Sequence, residues 1–201
     1  MGYRFQVEGP GLHIPDVLLP IPGLLQVENA LAAVAVCHQL GLSSEQIVGA
    51  LADFQGVVRR FDMQLNKEKH IYIDDYAHHP EEIRAFLASV RKRWPGKKLT
   101  GIFQPHLFSR TKDFAGGFAK SLGMLDALIL LDIYPAREEP MPGVDAGLIF
   151  AQVELEDKLW IRDEELLSVI AKRKPELLVS MGAGDISRFV APIKELLNKE
   201  T

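Results

Sequence analysis

Cysteine is nearly missing from this sequence: Cys37 stands alone in 201 residues, which excludes an internal disulfide framework. It falls in an apolar helical pattern, so a buried thiol is expected there and not a reactive one. Long apolar runs are missing too. The stretch ALILL at 127–131 is among the longest, far short of the ~20 residues that a membrane span requires. The N-terminus shows no charged segment followed by an apolar signal core. These absences make a cytoplasmic location the default expectation. A basic stripe is absent as well. The 23 Lys and Arg are mixed with 27 Asp and Glu for a formal charge of −4, so no phosphate-neutralising nucleic-acid surface is expected.

Several motifs are absent in a way that narrows the chemistry. No Gly-x-x-x-x-Gly-Lys-Ser/Thr loop occurs, so a main phosphate cradle is not encoded in these residues. The GAG at 182–184 has Ser187 where a dinucleotide fingerprint needs its third glycine, and a tight strand–helix turn is the expected role. Ser109 and Ser180 lack the Gly-x-Ser-x-Gly context of an activated nucleophile.

What is present organises into two regions. In the first, YRFQVEG reads as a strand, while GLHIPDVLLPIPGLL is apolar but broken by Pro15, Pro20 and Pro22. Neither segment is expected to close a core alone, and together they resemble the tail of a longer domain. Asn29 is the expected N-cap of a helix carrying Leu31, Val34, Ala35 and Leu40 and ending at Gly41. Ser43 with Gln46 reads as a capping box that opens a second helix running to about Phe54. The adjacent Arg59 and Arg60 that follow are either a solvated helix end or a phosphate clamp at a domain junction, before a linker-like NKEKH.

From His70 onward strands alternate with helices, which predicts an α/β fold with a mostly parallel sheet. Strands are expected at 71–74, 98–103, 127–134, 159–163 and 176–184. Helices are expected from Pro80, from about Arg110 to Leu122, after 163, and from Ile186 to Asn198. Ile83, Phe86, Leu87 and Val90 form one helical stripe. Polar residues gather after the strands, in DDYAHHP, QPHLFSR, YPAREEP and GAGD. Ligands bind at the carboxyl ends of such sheets, so the clustering favours a ligand site. Within it, Pro80 suits the first helical position, and Glu81 and Glu82 complement the helix dipole. His78 and His79 should point to opposite sides of an extended segment and therefore should not chelate one metal. A metallohydrolase is correspondingly disfavoured, since no Cys or third His completes a ligand set, and no metal ligand is assigned.

Taken together, VENALAA, GVVRRFD, DDYAHHPEEI, FQPHLFSRT, LLDIYPAREEP and SMGAGDI resemble the C-terminal portion of the Mur ligase family, in family order from about residue 21 to the end. FQPH…SRT with DIYPAREEP resembles its alanine-adding branch. The resemblance implies a Rossmann-like C-terminal domain over 62–201, preceded over 1–61 by the incomplete end of a central ATP-binding domain. It implies ATP and Mg2+ as cofactors, held mainly outside this chain. It also implies UDP-N-acetylmuramate and L-alanine as substrates, an acyl-phosphate intermediate, and a role in peptidoglycan biosynthesis; the fragment alone is expected to be inactive. Carried over by position, Asn29 and Gln26 would meet the adenine, Arg60 the ATP phosphates, and Asp75 with Tyr76 the ribose or nucleotide. His78, His106 and Arg110 would face the alanine and the reacting carboxyl, with His78 and Arg60 as the catalytic pair. Two departures stand out: Leu25-Gln26 replaces the usual His-Asn, and Leu107 replaces a frequent Arg. A murein tripeptide ligase and a non-catalytic nucleotide- or sugar-binding Rossmann module are the alternatives.

Overall fold

The computed structural model describes residues 2–199. Its contacts divide at the Val58–Arg59 bond into two compact units.

The first unit is a hairpin and two helices. Strands β1 (Tyr3–Gly9) and β2 (Leu12–Leu19) pair antiparallel across a turn in which Gly11 takes φ 69°. Pro15 is tolerated because a two-stranded sheet has only edge strands. Helices α1 (Leu24–Gln39) and α2 (Ser44–Ala52) follow. Val7, Ile14 and Val17 of the hairpin close a small core only together with Val34 of α1 and Ile47 of α2. Cys37 is half-buried at the margin of that core, less enclosed than predicted.

The helix boundaries expected in this unit differ in outcome. Asn29 is not an N-cap. The cap position lies six residues earlier, at Gly23 with φ 100°, whose carbonyl accepts the Gln26 N–H, and Asn29 lies exposed inside α1. The Pro22-Gly23 pair breaks the extended chain and is the true start signal. The α2 capping box is present as expected, with the Ser43 hydroxyl accepting from Gln46 N–H and the Gln46 side chain accepting from Ser43 N–H. Gly41, at φ 84°, ends α1 as predicted.

The second unit is an α/β sandwich of three layers. Its strands are β3 (Asp62–Asn66), β4 (Ile71–Asp75), β5 (Leu99–Phe103), β6 (Ala127–Leu130), β7 (Lys158–Trp160) and β8 (Leu177–Met181). They lie in the order β3-β4-β8-β5-β6-β7, all parallel except β3, which pairs antiparallel with β4. Strand β3 had no sequence signal, because Asp62, Gln64 and Asn66 break its apolar character. The NKEKH segment is the turn of that hairpin, closed by Lys67 N–H donating to the His70 carbonyl. Every residue of β4, β5, β6 and β8 is buried, as strands covered on both faces must be.

Helices α3 (Pro80–Arg93), α4 (Phe108–Leu122) and α5 (Gly147–Phe150) pack with one sheet face around Phe86, Leu87, Phe103, Phe118 and Leu128. The other face carries α6 (Leu166–Arg173) and α7 (Val190–Lys199) around Tyr72, Ile102, Ile129 and Leu178. The expected final helix at 186–198 is a 3-10 turn over Asp185–Phe189 followed by α7. The last strand, β8, inserts between β4 and β5, so the ends of all three face one crevice.

Candidate functional site

At the carboxyl end of β4 the chain leaves the sheet through Tyr76, Ala77 and His78 before α3. Asp75 fixes that exit: its Oδ2 accepts the Phe61 N–H at 2.7 Å and its Oδ1 the Ala77 N–H at 2.8 Å. Burial pushes the Asp75 carboxyl up to about 6, against the downward pull of those two N–H groups and of the nearby Arg60 charge. The start of α3 is built as predicted. His79 is extended at φ −123°, Pro80 opens the helix, and the Glu82 carboxylate accepts the N–H groups of both His78 and His79. The two imidazoles do diverge: His79 meets Phe114, whereas His78 faces Tyr76 and His106.

At the end of β5, Gln104 turns inward, its amide nitrogen donating to Asp185 and its carbonyl accepting the Ile186 N–H. His106 follows, bridged to Tyr134 in a single parallel β-bridge and stacked on its ring at 5.7 Å. One helical step on, Arg110 Nη1 lies 3.3 Å from His106 Nδ1. Desolvation, then the charge of Arg110, holds His106 below its ordinary value, which favours the neutral ring. The loop after β6 is tied to α4 by Glu138, which accepts from both the Ser109 N–H and the Ser109 hydroxyl. After β8, Gly182 takes φ 146°, and at Gly184 a Cβ would come 2.6 Å from Gln104 Oε1 and 2.7 Å from Tyr134 Cβ. The GAG segment is thus the tight turn the sequence suggested, and neither of its glycines has room for a side chain.

The Arg59–Arg60 pair separates into two roles. Arg59 Nε donates to Asp74 Oδ2 at 2.9 Å and its Nη2 to the Gly182 carbonyl at 2.7 Å. Asp74 is fully buried; its Oδ1 accepts from Ser180 Oγ at 2.5 Å. Because that bond uses the one serine hydrogen, Tyr72 Oη must donate to Ser180 Oγ, at 2.9 Å. The result is a buried relay Tyr72–Ser180–Asp74–Arg59 beneath the site. Arg60 is exposed, its guanidinium 5.3 Å from the Tyr76 ring centroid, and Arg59 reaches the same ring at 5.2 Å.

Backbone strain concentrates here. Among the described residues five non-glycines have positive φ, and four adjoin the site: Arg59 (62°), Phe61 (51°), Leu107 (72°) and Ala136 (52°). Two flank Arg60, and Leu107 joins His106 to α4.

In the second unit, then, Arg60, Asp75, Tyr76, His78, His106 and Arg110 converge on one sheet edge. Gln26 and Asn29 stand three residues apart on α1 of the first unit, so on neighbouring turns of one helical face. Sequence reasoning missed Asp74, Ser180, Tyr72, Gln104, Tyr134 and Glu138. A doubled aspartate and a serine inside otherwise apolar parallel strands were the available signal. Among the described residues no group of three His, Cys, Asp or Glu side chains is placed to hold a metal ion, and no helix is long and apolar enough to cross a membrane.

A parallel sheet with His, Arg and Tyr side chains gathered beside glycine turns at its carboxyl edge defines a ligand-binding domain of the Rossmann-like kind. Residues 59–184 match the family described as Mur ligase, glutamate ligase domain, and the chain belongs to the Mur ligase family. It is 50% identical over 196 residues to a UDP-N-acetylmuramate–L-alanine ligase of Parabacteroides distasonis, a match covering 98% of this chain and 42% of the relative. A protein of the same name from Flavobacterium psychrophilum is 46% identical over 98% of this chain and 44% of its own length. The crystal structure of the Thermotoga maritima UDP-N-acetylmuramate-alanine ligase superimposes with a TM-score of 0.76 at 28% identity, over 95% of this chain and 42% of that one. The chain therefore spans less than half the length of the relatives it matches.

Proposed function

We propose that this chain is the C-terminal portion of an ATP-dependent ligase that joins L-alanine to UDP-N-acetylmuramate in peptidoglycan synthesis, working in the bacterial cytoplasm. The observation that carries this is the convergence of His78, His106 and Arg110 on one sheet edge, in a chain whose relatives bear that ligase's name. Arg110 offers a fixed cation for a carboxylate, as an amino-acid substrate requires. Arg60, exposed beside Tyr76, suits the charge of transferring phosphate. Asp75 has both oxygens engaged by backbone N–H groups and contributes chiefly by setting the path of Tyr76 and Phe61. Gln26 and Asn29 supply side-chain amides suited to an adenine edge.

ATP in such a reaction would activate the sugar's carboxyl as an acyl phosphate, with Mg2+ neutralising phosphate charge. The phosphate loop and the Mg2+ ligands are assigned to residues outside these 201. On this reading residues up to about 61 complete a central nucleotide-binding domain and the remainder forms the third domain. The murein tripeptide ligase ranks below, because the relatives at 41–50% identity carry the alanine ligase name.

The test has two parts. The gene upstream of residue 1 should encode a Gly-Lys-Thr phosphate loop; its absence removes the ligase proposal and leaves the non-catalytic module. The complete protein should form UDP-N-acetylmuramoyl-alanine from its parts, while the 201-residue chain alone should show no alanine-dependent ATP hydrolysis. In the complete enzyme, Arg110→Ala should raise the KM for L-alanine at least about tenfold, the loss of one charge-assisted contact. An unchanged KM would remove Arg110 from the alanine site.

A further inference from the structure

Deepening the ligase reading above, and resting on it, we propose that the two facing histidines are locked in opposite tautomers with opposite tasks: His78 Nε2 takes a proton from the substrate's ammonium group, and His106 Nε2–H joins Arg110 in holding its carboxylate.

The assignment follows from what surrounds each Nδ1. His78 Nδ1 lies 3.0 Å from the Tyr76 carbonyl oxygen and 3.4 Å from Glu82 Oε2. A carbonyl can only accept. Glu82 is occupied as an acceptor by the N–H groups of His78 and His79, so it too is in its acceptor form. Nδ1 therefore carries the hydrogen, and Nε2 of the neutral ring is left with the lone pair. His106 is the reverse case. Its Nδ1 faces Arg110 Nη1, and a guanidinium has donors only. Nδ1 must accept, so the ring hydrogen is on Nε2. Stacking on Tyr134 and the β-bridge to that residue hold the His106 ring in place.

The ring centroids are 6.2 Å apart. The two neighbouring rings thus offer a lone-pair acceptor on His78 and, on His106, a donor whose ring is bonded to a permanent cation. An α-amino acid carries an ammonium and a carboxylate on one carbon, and this pair of faces matches it in polarity and order. Neither face suits the reverse arrangement, since Arg110 repels an ammonium and the His78 lone pair repels a carboxylate.

The proton balance is simple. The ammonium nitrogen gives one proton to His78 Nε2, forming an imidazolium whose Nδ1–H stays on Tyr76 O and Glu82. The freed nitrogen lone pair then attacks the acyl-phosphate carbon. The C–N bond forms, the C–O bond to phosphate breaks, and the departing phosphate takes the second nitrogen proton. His78 returns its proton to water. Glu82 supports the imidazolium as a positioning residue and touches no reacting atom.

Ring 15N NMR on the 201-residue chain tests the tautomers directly. Neutral His78 should show a protonated Nδ1 and His106 a protonated Nε2; the reverse pattern at either ring overturns the assignment. Kinetics on the complete enzyme test the tasks. His78→Gln presents an acceptor oxygen near Nε2 that cannot take up a proton. It should lower kcat with alanine on the order of 100-fold, the low end of what acid–base catalysis supplies, with KM changed little. Hydroxylamine is a nucleophile already unprotonated at neutral pH, so hydroxamate formation by this variant should stay near the wild-type rate. Loss of both reactions would place His78 in acyl-phosphate formation, and retention of alanine kcat would give it no role; either result overturns the proposal. His106→Gln, whose amide N–H falls near Nε2, should hold the alanine KM closer to wild type than His106→Ala does. Equal KM values in the two variants would remove the donor role. A wild-type enzyme that forms neither hydroxamate nor alanyl product would instead sink the ligase reading and these tasks with it, while the NMR result on the tautomers would stand.

Discussion

Asp75 shows how one residue can be tuned by opposing effects of similar size. Two backbone N–H groups and the Arg60 charge favour its carboxylate, yet burial dominates and places it at about 6, up from an ordinary 3.8. The linkage sign is therefore the reverse of a salt-bridged aspartate. The folded state holds the proton to higher pH than the unfolded state does. Asp75 thus favours folding most below pH ~4, and that advantage, on the order of 3 kcal/mol, is lost as pH rises through about 6. Asp75→Asn removes the titration and leaves one of the two N–H donors facing an amide nitrogen. At pH 4 it should destabilise by about 1–3 kcal/mol, the cost of a buried donor without its partner. The penalty should shrink toward pH 7, where the wild type carries a buried charge and the variant does not. Urea titrations at the two pH values check this, and a penalty that grew with pH would contradict the assigned cause. At the same scale, Gly184→Ala should cost several kcal/mol, because its Cβ meets Gln104 and Tyr134, which are themselves fixed by partners.

Between elements, the buried relay does the joining. Asp74 on β4 and Ser180 on β8 are register partners, and through Asp74 the pair also holds Arg59, which lies before β3. Asp74→Asn strips the charge partner from a guanidinium whose side chain is only 16% exposed. That should destabilise the second unit by about 3–5 kcal/mol, the usual cost of breaking a buried pair from one side. A loss under 1 kcal/mol in chemical denaturation would show that Arg59 finds other partners. This relay also marks where the sequence stopped being readable. Strands β4, β5, β6 and β8 and the start of α3 were legible, since an apolar run and a Pro-Glu-Glu helix start each state their role locally. The site's sheet edge was legible through its three polar loops. Strand β3 was not, because its partner β4 supplies most of its reason to be extended. Nor was the start of α1, where Asn29 offered a better-looking cap than Gly23. Tyr72, Asp74 and Ser180 were invisible for the same reason: each is a poor core residue alone, and the hydroxyl bonds that join the three link β4 to β8 across about a hundred positions. Long-range satisfaction leaves no local pattern.

For the whole molecule, the decisive feature is that two units of unequal size carry separate cores. The smaller one buries five apolar residues in its cluster, with five more packed at the margin. Its remaining surface exposes Leu24, Leu25, Leu31, Val36, Leu40, Leu42, Phe54, Val57 and Val58. A unit of that length is marginal even when well packed, because it buries a smaller fraction of its chain than a larger domain does. The larger unit has two apolar clusters, one on each sheet face, and the buried relay between strands. Unfolding should therefore not be two-state. Both tryptophans, Trp94 and Trp160, lie in the larger unit, whereas each unit contributes helix to the far-ultraviolet circular dichroism. In a urea titration the dichroism signal should start to fall at lower denaturant than the tryptophan fluorescence. Proteolysis in the interval between the two transitions should leave a resistant fragment that begins near Arg59. Ser43→Ala removes the α2 capping box and should cost about 1 kcal/mol. It should move the early dichroism phase to lower urea and leave the fluorescence midpoint in place. Coincident transitions, or a fluorescence midpoint that moved with Ser43→Ala, would mean that the two units unfold as one.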